Sequence, residues 1–288
     1  MTFLTYNPWL VAIVGGAIGA ILAGIILFYL FEHRAEKVAK IALKTGINNA
    51  DELLKKNMTD DALAIYQDML KTASVRKYPE IYAQIKNNEG RCYDKLAYVR
   101  DKEKNLTKAI RAYEEALKIR TVEKYPVKYA TTQGNLGSAY WALAEVRDKE
   151  KNLMKAIRAY REALKIHTVE KYSFEYATIQ NNLGAAYWAL AEVRGKEKNL
   201  TKAIRAYREA LKIFTIEKYP VKYATTQSNL GVVYSDLAEV RGKRKNLTKA
   251  IRAYQDALEI YTVEKYPLDY ERIMSNMRKA KQKLQSSP

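Results

Sequence analysis

Residues Asn105–Lys151 read NLTKAIRAYEEALKIRTVEKYPVKYATTQGNLGSAYWALAEVRDKEK, and much of the remaining chain is that stretch repeated. It returns at Asn152–Lys198 and Asn199–Lys245, each copy displaced by 47 residues, and starts again at Asn246. A more divergent copy precedes it at Met58–Lys104, where Tyr66, Tyr78, Pro79, Tyr82, Gly90, Tyr93 and Leu96 hold the register. A fixed period of ~20–50 residues means stacked units, each burying its apolar face only against its neighbours.

Two segments of the unit carry helical spacing. Ala109, Ile110, Ala112, Tyr113, Ala116 and Leu117 follow i, i+3, i+4, i+7, and so do Tyr129, Leu136, Ala139, Tyr140, Leu143 and Val146. Pro126 suits the first turn of the longer helix, where its missing N–H costs nothing. Asn105, Asn152, Asn199 and Asn246 stand where N-caps of the other helix are expected. The runs RDKEK and RGKEK lack an apolar period and read as loops or frayed ends. Each unit is therefore an antiparallel helix pair.

Leu136-Gly137-x2-Tyr140 followed by Ala156-x3-Tyr160-x2-Ala163 resembles the tetratricopeptide pattern, and it recurs at Leu183, Gly184, Tyr187 and at Leu230, Gly231, Tyr234. The resemblance departs in two ways. Gln133, Gln180 and Gln227 replace the family's Trp, and the period is 47. It implies an all-α fold: a right-handed superhelical solenoid of antiparallel helix pairs, here preceded by one transmembrane helix. The expected helix pairs are 47–78, 79–125, 126–172, 173–219 and 220–266. The last helix and tail, 267–288, are read as a cap, because Arg278 and Lys281 replace the packing Gly and Tyr.

Ahead of the repeats come a short tail (1–7), an uncharged stretch PWLVAIVGGAIGAILAGIILFYLF (8–31) and a juxtamembrane helix (32–46) with a break near Thr45-Gly46. More than ~20 apolar residues suffice to span a bilayer, and Trp9 and Tyr29 suit its interfaces. Arg34, Lys37, Lys40 and Lys44 follow the span and no basic residue precedes it, so the repeats are expected on the cytoplasmic side. Gly15, Gly19 and Ala23 share one face at small-xxx-small spacing, which suits self-association.

Little in the chain could carry chemistry. Cys92 is the lone cysteine, and His33 and His167 are far apart in sequence. His167 aligns with Arg120, Phe214 and Tyr261 at a variable helix-end position and is read as no ligand. No catalytic, metal or cofactor site is expected, and the chain is read as non-enzymatic. The net charge of +18 is spread along the repeats, with a local peak at RGKRK (241–245). It suits a solvated convex surface, attraction to anionic lipid head groups beside the anchor or, as runner-up, nucleic-acid binding. Self-assembly is a further alternative, because near-identical repeats can stack between chains.

Comparing the copies locates a candidate groove. Gly134 becomes Asn181 and Ser228, Ser138 becomes Ala185 and Val232, and Trp141 is kept as Trp188 but lost at Ser235. Ala142 likewise becomes Asp236. In tetratricopeptide proteins that stripe lines the concave groove, so the resemblance implies a peptide- or protein-binding scaffold. The groove residues it implies are Asn88, Asn135, Asn182 and Asn229, with Thr131, Thr178, Thr225, Asn181 and Ser138. Trp141 and Trp188 would be the aromatic anchors. An amide offers donor and acceptor together, as an extended backbone requires.

Overall fold

The computed structural model describes residues 8–286; the side chains of residues 8–24, 26 and 27 lie outside the described set. Among the described residues there are eleven helices and no strand. They are α1 (Pro8–Lys55), α2 (Thr59–Thr72), α3 (Pro79–Ala97), α4 (Lys102–Leu117), α5 (Pro126–Leu143) and α6 (Lys149–Leu164). After them come α7 (Ser173–Ala191), α8 (Lys196–Leu211), α9 (Pro220–Ala238), α10 (Lys243–Leu258) and α11 (Pro267–Gln285). The chain divides into two compact units, one up to Ile81 and one from Tyr82.

In the first unit α1 packs on α2. Leu43, Ile47, Ala50 and Leu54 recur at helical spacing and are buried, as are Ala62, Tyr66 and Met69 of α2. The Tyr66 hydroxyl donates to Asp51 Oδ1 at 2.7 Å. The break expected at Thr45-Gly46 is absent, because α1 runs straight through it. Gly46 is a contact point: a Cβ there would lie 2.9 Å from Met69 Sδ. The span expected at 8–31 falls on α1. Most of its side chains, Gly15, Gly19 and Ala23 included, lie outside the described residues, and among those described no helix is long and apolar enough to cross a membrane.

The second unit is a solenoid of helix pairs. α5 packs on α6, α7 on α8 and α9 on α10, and each second helix also meets the first helix of the next pair. The backbones of α5, α7, α9 and α11 also approach their nearest counterparts, whereas those of α4, α6, α8 and α10 do not approach one another. One layer is tight and the other splayed. Curvature therefore puts α5, α7, α9 and α11 on the inner, concave side.

Four glycines at equivalent positions, three of them directly after Leu, make this packing possible. A Cβ at Gly90, Gly137, Gly184 or Gly231 would fall 2.6–2.8 Å from the ring of Tyr113, Tyr160, Tyr207 or Tyr254. These four tyrosines are at most 2% exposed, and each fills the space that the glycine opposite leaves free. Removing such a ring would open a cavity costing roughly 3–5 kcal/mol.

Two local expectations are corrected. Asn105, Asn152, Asn199 and Asn246 are not N-caps: their helices start three residues earlier, after Asp101, Asp148, Gly195 and Gly242 in left-handed conformation. The asparagines are buried, and each Nδ2 donates backwards, to the carbonyl oxygen of Arg100, Arg147, Arg194 or Arg241, at 2.6–2.8 Å. They tie off the preceding helix end, a task for the amide's donor and not for its acceptor. Nor are the charged runs frayed. Lys102 pairs with Glu145 and Arg147 with Glu103; Lys149 pairs with Glu192 and Arg194 with Glu150; Lys196 pairs with Glu239 and Arg241 with Glu197. Each pair is exposed and worth ~0–1 kcal/mol, but the crossed pattern recurs at three successive steps and joins adjacent repeats along one edge.

Candidate functional site

The concave face is lined by the inward stripe of α5, α7 and α9, and the predicted groove residues fall on it apart from Asn88, which belongs to α3. Asn88 is buried and accepts from Asn87 Nδ2 at 3.1 Å, so it is part of the packing. Thr225 is half-buried, and its hydroxyl meets that of Tyr261 at 2.6 Å. Asn229 is half-buried on α9.

Thr131, Asn135 and Ser138 on α5 come together with Thr178 and Asn182 on α7 around one cavity of about 260 Å³. Each threonine hydroxyl donates one turn back, to Val127 O at 3.0 Å and to Phe174 O at 2.9 Å. Asn135 Nδ2 donates to Asn87 Oδ1 at 3.3 Å, and Asn182 Oδ1 accepts from Asn181 Nδ2 at 3.4 Å. Ser138 Oγ lies 3.1 Å from the Tyr160 hydroxyl.

Asn181 works between repeats, accepting from Thr226 Oγ1 at 3.1 Å. The same bond occurs two repeats earlier, from Thr132 Oγ1 to Asn87 Oδ1, also at 3.1 Å. At the intervening step both partners are missing, because Gly134 aligns with Asn87 and Ile179 with Thr132. A Cβ on Gly134 would meet nothing nearer than Ile179 at 4.0 Å. The cavity opens there.

The tryptophans lie further along the stripe, outside this cavity. Trp141 and Trp188 are both half-buried. Trp188 Nε1 donates to Asp236 Oδ2 at 2.6 Å, so two positions that drift between copies are a bonded pair. Burial pushes the Asp236 carboxyl up from its ordinary range, and the indole N–H opposes that shift. The residues aligned with Trp188 and Asp236 one step earlier are Trp141 and Ala189, and alanine offers no such acceptor.

The sequence reads His167 as a variable helix-end position and no ligand, whereas the structure buries it. It lines the cavity, is 2% exposed and leaves Nδ1 without a hydrogen-bond partner. Its ring stands edge-on to Tyr172 with centroids 5.1 Å apart. Burial pushes the imidazole below its ordinary range, and the nearby Glu175 carboxylate only partly opposes this. The alignment of His167 with Arg120, Phe214 and Tyr261 held the clue, since these side chains differ in length and chemistry yet occupy one buried position. Cys92 is fully buried, in keeping with a core thiol. Among the described residues no three His, Cys, Asp or Glu side chains group to hold a metal ion.

Comparison with known proteins agrees with the architecture. Tetratricopeptide repeat models match residues 130–168 and 177–214, and a second such model matches 90–121. No curated protein matches the chain significantly by sequence. Among solved structures the chain is similar to the MamA protein, at 20% identity and TM-score 0.50 over 78% of this chain and 96% of that one. It is also similar to the apo form of RapI, at 15% identity and TM-score 0.51 over 84% of this chain and 72% of that one. At these identities the likeness is one of fold. The chain carries tetratricopeptide repeats over the matched residues 90–121, 130–168 and 177–214.

Proposed function

We propose that this chain is a non-enzymatic, membrane-tethered scaffold that holds a segment of a protein partner in the concave groove of its repeats. The array would follow the right-handed superhelical course of tetratricopeptide proteins, with the long 47-residue unit as its variant. The observation that carries the reading is the cavity on the inner face, where five of the groove residues expected from sequence meet between two helices. Pull-down from mildly solubilised native membranes tests it, comparing wild type with Asn135→Ala/Asn182→Ala/Asn229→Ala. A partner retained by wild type and lost by the triple variant, with helical content and melting unchanged, is the expected result. Equal recovery by both sinks the groove.

The anchor is the second part of the proposal. Ile25, Phe28, Leu30 and Phe31 of α1 are exposed apolar side chains, and such a run calls for lipid or protein cover. The flanking Arg34, Lys37, Lys40 and Lys44 would then keep the repeats on the cytoplasmic side, with Gly15, Gly19 and Ala23 pairing two anchors. Cysteines introduced into exposed repeat positions should resist a membrane-impermeant label in intact cells and react after lysis. Labelling from outside reverses the topology.

One observation favours a second reading, an anion-binding outer surface. Lys202 and Lys249 lie over the Tyr187 and Tyr234 rings at 5.3 and 5.4 Å. Burial first, and then neighbouring cations, lower both ammonium groups from their ordinary range. Like charges so crowded gain from an anion. Such a complex would weaken steeply with salt, whereas groove binding would respond to the asparagine truncations.

A further inference from the structure

We infer that the cavity between α5 and α7 is a pocket for one cationic side chain, arginine or lysine, of the segment bound in the groove. The inference rests on the groove reading and adds a specificity to it. A volume of about 260 Å³ lies below the ~300–1,000 Å³ of pockets that enclose whole small molecules, so one side chain is the scale of occupant.

Hydrogen-bond accounting sets the chemistry. The hydroxyl protons of Thr131 and Thr178 are committed to backbone carbonyls, which leaves their oxygens as acceptors. The Asn135 amide nitrogen is engaged with Asn87, leaving Oδ1 to the cavity side of the balance. Glu175 contributes a carboxylate to the lining, and a neutral imidazole has one acceptor nitrogen. His167 Nδ1 is buried with no hydrogen-bond partner, and it is an acceptor in the tautomer that carries the proton on Nε2. Acceptors still outnumber donors, which here are the Asn182 amide, the second N–H of Asn135 and the single imidazole N–H of His167. A donor-only group completes the set, and guanidinium and ammonium are the donor-only side chains. A carboxylate would face Glu175 and a row of lone pairs.

The chain itself shows the arrangement one step earlier. Arg120, at the position of His167, is buried, and its Nη1 donates to Thr132 Oγ1 at 3.2 Å. Thr132 in turn meets Asn87. At the α5–α7 step the internal arginine has become the shorter His167, and the Asn/Thr pair has become Gly134 and Ile179. The cation is gone and room for one has appeared. At the next step Phe214 fills the position by packing with Ala177 and Ala210.

The test follows the His167 imidazole by NMR in the full chain held in lipid nanodiscs, with His33→Gln so that one histidine remains. The probes are n-propylguanidinium, n-butylammonium, butyrate and p-cresol. Saturable shifts with the two cations and none with butyrate or cresol are expected. The effect should vanish in Gly134→Asn/Ile179→Thr, which restores the plug that neighbouring steps use and should keep the wild-type melting curve. His167→Arg, which supplies the cation internally, should lose capture of any groove partner. Shifts from butyrate or cresol but not from the cations, or undiminished cation shifts in the plugged variant, overturn the pocket. A partner lost by the asparagine triple variant but kept by both the plugged variant and His167→Arg leaves the groove standing and removes the pocket.

Discussion

Asp94 stands where later copies have Trp141 and Trp188, and it is half-buried with one carboxylate oxygen enclosed. The Tyr113 hydroxyl donates to Oδ2 at 2.6 Å, while Oδ1 is buried without a partner. Burial pushes this carboxyl up to about 7 from an ordinary value of 3.8, against the opposing hydroxyl bond. The folded state therefore holds the proton more tightly than the unfolded chain. This contribution to stability is full below the ordinary value, declines as pH rises to about 7, and is constant above. Asp94→Asn should raise the melting temperature at pH 8 and flatten its fall between about pH 4 and 7, the gain in stability being on the order of a few kcal/mol. A melting temperature at pH 8 equal to wild type would mean the carboxyl ionises there without cost. Gly184 makes a complementary case. A Cβ would fall 2.8 Å from the Tyr207 ring, so Gly184→Ala should cost ~1–3 kcal/mol by thermal melting. An unchanged melt would show that the Tyr207 ring yields freely. The glycine's role was legible in sequence because it recurs at one position in four copies, three times directly after Leu. The elevated carboxyl was not, because nothing in the residues near Asp94 announces that Tyr113 will close over it.

At the scale of the helix, the short connections decide where each element starts. Asp101 and Asp148 sit at φ of 45° and 44°, where the later copies have Gly195 and Gly242 at 54° and 55°. A side chain in that region costs up to ~1–2 kcal/mol, less for Asp than for most residues. Asp148→Gly should therefore raise the melting temperature modestly, and Gly195→Ala should lower it. A reversal of either sign would locate the strain elsewhere. Asn199→Ala should cost ~1–3 kcal/mol, since the Arg194 carbonyl loses its 2.6 Å donor. The periodicity made the helices legible and even their first residue where proline marks it, as at Pro126. It could not show the asparagines' direction of bonding, because an amide donates and accepts with one side chain. The cavity was equally hidden. It arises from what Gly134, Ile179 and His167 lack relative to their counterparts, and those three residues belong to two helices and a connection.

For the second unit as a whole, stability in such an array is close to a sum of each pair's own stability and its interfaces. The last helix then carries a disproportionate share. On α11, Ile273, Met277 and Ala280 are buried, while Arg278 and Lys281 are exposed at the positions where inner helices have Gly and Tyr. Its inner face therefore packs like that of a repeat, and its outer face is that of a surface. Lys283 adds an ion pair to Glu239, extending the edge ladder onto this helix. Ending the chain after Lys265 should strip the cover from the α9 and α10 surfaces that α11 packs against. Without the polar outer face the exposed surface is a repeat's interface with nothing to meet except another copy. The expected result is concentration-dependent association by light scattering and a melting temperature below that of the full chain. Ile273→Asp in the full chain should produce the same direction of change, because a carboxylate at a site 0% exposed cannot remain packed. A shortened chain that stays monomeric and melts as before would show that the preceding pairs close their own core, and would strip α11 of any capping role.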